Sequence, residues 1–250
     1  MTARGVAIRI SGLRKSYRGT DVLRGIDLQI EPGETLVIVG GSGEGKSVLL
    51  RHLAGLEQPD AGAVRLDDLD LSEYLAMPPN RKPFRIAMVF QGAALLNSLT
   101  VAENVALRLR EHEHRSEAEL SRTVSDCLAQ VDMAGTEGQL PGDLSGGMRK
   151  RVAIARALAA DPQVVLHDEP TADLDPILTQ QIGELINRIH DTHRATQVVV
   201  THNLALAEEV GNRIAVLQRG RIVELLPADA LGHSTNPYTQ AFVKAASLRT

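Results

Sequence analysis

Several features that are common in other chains are scarce or missing here. The 250 residues include one cysteine, Cys127, so no disulfide can form within the chain. Cys127 lies in the helix-like stretch LSRTVSDCLAQVDM, and we expect it to be a packing residue because no neighbour is placed to activate it as a nucleophile. No apolar run approaches the about 18 residues of a membrane span, and the N-terminus lacks the apolar segment of a signal peptide. The sequence therefore predicts a soluble, cytosolic chain.

The chain also lacks a strong charge of either sign. Its 27 lysine and arginine residues against 31 aspartate and glutamate residues give a formal charge of −4. This balance supplies no general attraction to nucleic acid or anionic lipid, and we expect no nucleic-acid partner. What the chain does have is 43% hydrophobic residues, which is enough to bury a large core.

Short runs rich in β-branched residues alternate with longer helical stretches, a rhythm typical of an α/β domain with a mainly parallel sheet. The predicted strands are VAIRI (6–10), TLVIVG (35–40), RIAMVF (85–90), QVVLHDE (163–169), QVVVTH (197–202) and RIAVLQ (213–218). Between the third and fourth of these strands the rhythm stops, and the region 100–160 reads as helices.

This pattern predicts one α/β domain with a helical insertion. We expect the core to comprise residues 1–91 and 160–225, the helical subdomain residues 92–159, and a C-terminal tail residues 226–250. The pair Asn236-Pro237 should break the tail into short pieces.

A glycine-rich loop lies between a buried strand, TLVIVG, and a helix, VLLRHLAGL, and matches the phosphate-binding pattern G-x-x-x-x-G-K-[ST]. The matching residues are Gly40, Gly41, Ser42, Gly43, Glu44, Gly45, Lys46 and Ser47. Lys46 is expected to reach the β- and γ-phosphates and Ser47 to bind Mg²⁺. The Glu44 side chain should face solvent, and Val48 lacks the hydroxyl that could contact the α-phosphate. The loop therefore predicts a nucleoside triphosphate as ligand, and the family resemblance described below implies that it is ATP.

A second apolar strand, QVVLHDEP (163–170), ends in two carboxylates. Placed beside the first strand, it would bring Asp168 to Mg²⁺ and Glu169 to the attacking water as general base. The stretch LSGG (144–147) precedes the helical run MRKRVAIARAL, and a serine with two glycines at a helix start can bind an anion. Taken alone, LSGG is equally typical of an ordinary helix cap.

With these motifs in this order, nearly the whole chain resembles the ABC ATPase family. Gln91, TADLD (171–175) and His202 also match the family's pattern. The resemblance implies a RecA-like P-loop NTPase core with an antiparallel β portion and an inserted α-helical subdomain. It also implies a head-to-tail dimer, in which Ser145, Gly146 and Gly147 of one copy would contact the γ-phosphate bound by the other.

The same resemblance assigns further roles. His202 would contact the γ-phosphate and keep the Glu169 region in order, and Gln91 would sense Mg²⁺ and link the site to the helical subdomain. Asp175 would communicate across the dimer. Tyr17 looks like the aromatic residue that stacks on adenine, although its ring could also belong to the core or the surface.

One subset of the family is more similar than the rest. The segments GAALLNSLTVAENVALRLREH (92–112) and LSGGMRKRVAIARA (144–157) resemble the ATPases of the Mla and related MCE-type phospholipid transporters. That resemblance implies a peripheral subunit at the cytoplasmic face of the inner membrane. Its partners would be an integral membrane permease and an MCE-type substrate-binding protein. The alternatives are an ATPase of a small-solute importer, of a lipoprotein-release system, or of a regulatory or DNA-associated protein without a permease.

Overall fold

The computed structural model describes residues 5–112 and 115–247, which form ten strands and eight helices. The strands are β1 (Ile8–Tyr17), β2 (Thr20–Ile30), β3 (Thr35–Val39), β4 (Ala61–Leu66), β5 (Leu69–Asp70), β6 (Ile86–Val89), β7 (Val164–Asp168), β8 (Thr196–Thr201), β9 (Arg213–Gln218) and β10 (Arg221–Pro227). The helices are α1 (Lys46–Leu53), α2 (Leu71–Ala76), α3 (Val101–His112), α4 (Glu117–Gln130), α5 (Gly146–Leu158), α6 (Pro176–His193), α7 (Leu204–Val210) and α8 (Pro237–Ser247). Within this described part of the chain, no helix has both the length and the hydropathy needed to cross a membrane.

The larger sheet has six strands in the order β10-β9-β3-β8-β7-β6, and all neighbours are parallel except β10 and β9. Every residue of β3, β7 and β8 is buried, because helices cover both faces of a parallel sheet. The carboxyl ends of β3 and β7 lie on either side of β8, so the residues that follow them meet at one edge. The predicted α/β fold with a mainly parallel sheet is confirmed.

The second sheet is antiparallel, in the order β2-β1-β4-β5. The even residues of β2 from Ile26 to Ile30 are buried and the odd ones exposed, which is the alternation of a sheet with one covered face. This sheet is the antiparallel β portion implied by the family resemblance.

Helices α3, α4 and α5 pack together and lie where the sequence predicted helices. Ser116 starts α4 through a reciprocal capping box with Glu119, which satisfies amide groups at the helix start. Cys127 is buried among the apolar side chains of these helices, and this burial raises the pKa of its thiol to about 11. Cys127 is therefore a packing residue, as predicted.

The C-terminal segment packs on its own chain. Asn236-Pro237 separates two short pieces, as predicted, but the second piece is a helix of 11 residues, α8. Proline is favoured at the first position of a helix, and the Asn236 side chain accepts hydrogen bonds from Tyr238 N at 2.9 Å and Thr239 N at 3.3 Å. The hydroxyl of Thr239 donates to the Glu224 carboxylate, which fastens α8 to β10.

Candidate active site

The glycine-rich loop joins the end of β3 to the start of α1, and two glycines in it are required by close contacts. A Cβ at Gly40 would lie 2.3 Å from Leu217 O of β9. Gly45 has φ 103°, and a Cβ there would approach Val22 O to 3.1 Å. The sheet and β2 therefore determine the shape of the loop.

The start of α1 has the features of an anion site. Its N-cap is Gly45, which has no side chain to cap the first amide groups of the helix. Lys46 is only 7% exposed, and its ammonium donates to Gly40 O at 2.9 Å and Gly41 O at 3.0 Å. Free helix amides and a buried cation converge here, and this arrangement suits the triphosphate of ATP.

The two carboxylates at the carboxyl end of β7 lie beside the loop. The Ser47 hydroxyl donates to Asp168 Oδ1 at 2.8 Å, and burial raises the pKa of Asp168 although this hydrogen bond acts in the other direction. A hydroxyl and a carboxylate oxygen in contact are ligands of the kind that Mg²⁺ prefers, so these two residues fit the cation.

Glu169 lies at the centre of a small network. Its Oε1 is 3.8 Å from the Lys46 ammonium, and its Oε2 accepts from the backbone N–H of His202 at 3.3 Å and from Nδ1 of the same residue at 2.9 Å. The Glu169 backbone has φ 45°, and its N–H donates to Val200 O at 2.8 Å. The carboxylate is thus held in one orientation, as a general base requires.

These groups surround a cavity of about 600 Å³. Its lining residues are Val22, Gly41, Ser42, Gly43, Gly45, Lys46, Ser47, Val48, Gln91, Glu169 and His202. The structure therefore brings together the four predicted catalytic residues, Lys46, Gln91, Glu169 and His202, with most of the loop. Val22 is a lining residue of β2 that no motif or predicted element indicated.

Glu44 differs from expectation. Its side chain does not simply face solvent: the carboxylate accepts a hydrogen bond from the backbone N–H of Arg219, in the turn between β9 and β10. The Tyr238 hydroxyl of α8 would lie 3.7 Å from a Cβ at Gly41 and is a neighbour of the same carboxylate. One backbone donor and a neighbouring tyrosine hydroxyl thus accompany this half-buried acid.

The structure does not bring the other predicted binding residues to this cavity. Ser145 caps α5, its Oγ accepting from Met148 N at 3.3 Å, and Asp175 caps α6, accepting from Leu178 N at 2.8 Å. Tyr17 is 38% exposed, and its hydroxyl donates to the Glu57 carboxylate. The roles of Tyr17, Asp175 and the residues Ser145, Gly146 and Gly147 in nucleotide binding stay predictions.

Fold and site together define a P-loop ATPase. Comparison with known proteins narrows the class: residues 23–172 match the ABC transporter family. The chain is 38% identical over 239 residues to the "probable ribonucleotide transport ATP-binding protein mkl" of Mycobacterium tuberculosis, covering 96% of this chain and 67% of that protein. It is 40% identical over 244 residues to the "sulfate/thiosulfate import ATP-binding protein CysA" of Xylella fastidiosa, covering 96% of this chain and 69% of that one.

A solved structure agrees with the sequence comparisons. The ATP-binding cassette MJ0796, described as a dimer in a post-hydrolysis state bound to ADP and Pi, superposes with a TM-score of 0.79 at 31% identity. The match covers 88% of this chain and 98% of that one. This chain belongs to the ABC transporter family and is an ATP-binding subunit that hydrolyses ATP.

Proposed function

We propose that this chain powers phospholipid transport across the cell envelope as a dimer docked on an integral membrane permease. The permease would hold the chain at the cytoplasmic face of the inner membrane, and an MCE-type protein would carry the lipid. The proposal has three parts: the hydrolytic site, the dimer and the cargo.

The hydrolytic part rests on the observation that Lys46, Glu169 and His202 meet at one cavity, while Asp168 contacts the cavity residue Ser47. Glu169 accepts the proton of the attacking water, because its carboxylate is held by His202 and lies beside the loop. Ser47, Asp168 and Gln91 would hold Mg²⁺, which when bound neutralises charge on the β- and γ-phosphates. When the nucleotide binds, the Lys46 ammonium gives up its hydrogen bonds to Gly40 O and Gly41 O and donates to phosphate oxygens instead.

The dimeric part is supported by the position of the signature residues. Ser145 and Gly146 are exposed at the start of α5 and do not line the cavity of their own chain. A second copy, placed head to tail, supplies these residues and Gly147 to the γ-phosphate. Asp175 then lies at the boundary between the copies, where it already caps α6. The likeness to a cassette described as dimeric favours the same arrangement.

The cargo part rests on the sequence resemblance of two segments to the phospholipid subset, and these segments lie side by side in the structure. Helices α3 and α5, one from each segment, pack together. Arg156 donates from its guanidinium to Ala93 O at 2.8 Å and Ala94 O at 2.6 Å. The two segments therefore form one unit of the helical subdomain, next to Gln91. We infer that this unit receives the permease of the phospholipid system.

A small-solute importer is the second candidate, and the names of the relatives favour it. The relative from Xylella fastidiosa is a sulfate/thiosulfate import protein at 40% identity. In this candidate the ATPase site is the same, and only the permease and its cargo differ.

Purification of the tagged Glu169→Gln variant from membranes with ATP separates the candidates. We expect a multi-span permease and an MCE protein to co-purify, and proteoliposomes of the wild-type complex to move fluorescent phospholipid only with ATP. The same complex with Ser145→Arg is the matched control, because its lower rate of ATP hydrolysis should be accompanied by less lipid movement. A complex without an MCE protein that moves sulfate and no lipid would overturn the cargo, and a permease-free complex with nucleic acid would overturn a transport role altogether.

A further inference from the structure

One lysine of α5 is buried behind the site without belonging to the cavity. Lys150 is 7% exposed, and its ammonium donates to Gln91 O and, at 3.4 Å, to Glu169 O. Burial lowers the pKa of Lys150, while the nearby charges of Asp173, Glu169 and Asp168 act in the other direction. An ammonium is costly to bury unless acceptors surround it, so these backbone contacts are what hold it there.

The two acceptors belong to different elements. Gln91 follows β6, Glu169 follows β7, and the side chains of both line the nucleotide cavity. Lys150 contacts their backbones from behind, five residues after Ser145, the N-cap of α5. One side chain therefore links the exposed anion-binding end of α5 to the backbone of two residues assigned to hydrolysis.

The Glu169 backbone needs such support. A non-glycine residue at φ 45° is strained by about 1 kcal/mol or more and persists only when its surroundings enforce it. Its N–H donates to Val200 O, and its carbonyl accepts from Ala172 N at 3.1 Å and from Lys150. Without the Lys150 contact, this peptide has fewer bonds opposing its relaxation, and its relaxation would turn the carboxylate away from His202.

A second side chain of α5 binds the segment that follows β6, two to three residues beyond Gln91. Arg156 bonds Ala93 O and Ala94 O, and both alanines have positive φ, 62° and 49°. The segment after β6 is thus strained and is anchored to α5 at two points, six residues apart on the helix. A movement of α5 would therefore displace the backbone of Gln91.

We propose that Lys150 is a positioning residue for ATP hydrolysis, which aligns Gln91 and Glu169 with the start of α5. This inference rests on the roles proposed above for Glu169 and for the Ser145 end of α5. Lys150 acts on the rate of the chemical step and leaves nucleotide binding unchanged, because it touches backbone and not the cavity.

Steady-state hydrolysis, ATP affinity and thermal unfolding of Lys150→Met and Lys150→Gln test the proposal. Methionine keeps most of the length without donors, and we expect kcat to fall about thirtyfold, KM to stay within about twofold, and Tm to be unchanged or higher. Glutamine, which like methionine is one atom shorter than lysine, is neutral but keeps two N–H donors, and we expect a loss of about tenfold. Lys82→Met is the matched control, because Lys82 is a partly buried lysine that lies over the Tyr74 ring, outside the site. The kcat of this variant should stay at the wild-type value.

Wild-type kcat in a folded Lys150→Met chain would overturn the proposal. Equal losses of kcat in the methionine and glutamine variants, each accompanied by a lower Tm, would also overturn it, because they would indicate a purely structural role. If the methionine variant does not fold, the glutamine variant decides: wild-type kcat there overturns the inference. Glu169→Gln is assayed beside them. Undiminished hydrolysis in that variant refutes the role of Glu169 itself, which is a different failure.

Discussion

The starts of α1 and α5 are both glycine-containing helix ends, yet the chain treats them differently. At α1, the N-cap Gly45 has no capping side chain, and Lys46 and the β7 carboxylates surround the helix end. At α5, the hydroxyl of the N-cap Ser145 accepts a hydrogen bond from Met148 N, and the residue remains exposed. A Cβ at Gly146 would have the Leu174 side chain as its nearest neighbour, 3.9 Å away. The first end is surrounded by polar side chains of its own chain, whereas the second is exposed and lies outside the cavity.

Because the surroundings of the two helix ends differ, mutations at one end should leave the function of the other end unchanged. Changes at α1 should affect how one chain binds and hydrolyses ATP. Changes at α5 should affect what two chains do together. Five substitutions test this division, beginning with the one that should slow hydrolysis most.

Glu169→Gln should have the largest effect. It removes the proposed general base while leaving the Ser47–Asp168 hydrogen bond and the bonds of Lys46 to the loop carbonyls intact, so we expect kcat to fall about a thousandfold. ATP should still bind, and the dimer should persist because it cannot hydrolyse the nucleotide. Phosphate release and size-exclusion chromatography with ATP measure both. Turnover at the wild-type rate would contradict the role of Glu169.

Ser145→Arg should act only on the pair of chains. The added side chain blocks the exposed start of α5, and we expect kcat to fall about a hundredfold and the ATP-dependent dimer to disappear. The affinity of the single chain for a fluorescent ATP analogue should not change. Normal dimerisation of this variant would show that α5 does not complete a neighbour's site, and the comparison above would fail.

Lys46→Ala should act only on the single chain. It removes the buried cation beside the start of α1, and we expect the affinity for ATP to fall about thirtyfold. The fluorescent analogue measures this loss directly, with Lys82→Met as the control for removing a lysine elsewhere. An unchanged Kd would argue against the assignment of the loop.

A pair of glycine substitutions should give the smallest effects and sharpen the contrast. Gly40→Ala places a Cβ 2.3 Å from Leu217 O, and we expect the free energy of unfolding to fall by about 2 kcal/mol. Gly146→Ala places its Cβ 3.9 Å from the Leu174 side chain, an ordinary van der Waals contact, and we expect a change within about 0.5 kcal/mol. Urea denaturation of the single chain measures both. Equal losses would mean that the two ends are packed alike.

The sequence predicted the end at α1 better than the end at α5 because strand, loop and helix follow one another without a gap there. Ser47 and Asp168 are 121 residues apart, but the order of parallel strands brings them to one edge. Nothing comparable constrains Ser145, whose proposed counterpart is the nucleotide site of a second copy.

Other features were missed for identifiable physical reasons. β2, β4 and β10 were not predicted, because charged residues such as Arg24 and Glu224 interrupt their apolar pattern and only one face is covered. The contacts of Lys150 depend on how α5 lies across β6 and β7, and no local pattern records that. Val22 and Tyr238 reach the loop for the same reason, through tertiary packing alone.

The buried thiol of Cys127 has a practical consequence for distinguishing the two helix ends. With a pKa of about 11 and a place inside the helical subdomain, it should not react with maleimides at neutral pH. Since no other cysteine is present, a cysteine introduced at an exposed position becomes the chain's one labelling handle without any background to remove. A spin label at Ser42 of one copy and another at Ser145 of a second would report their separation as a distance distribution, with and without ATP.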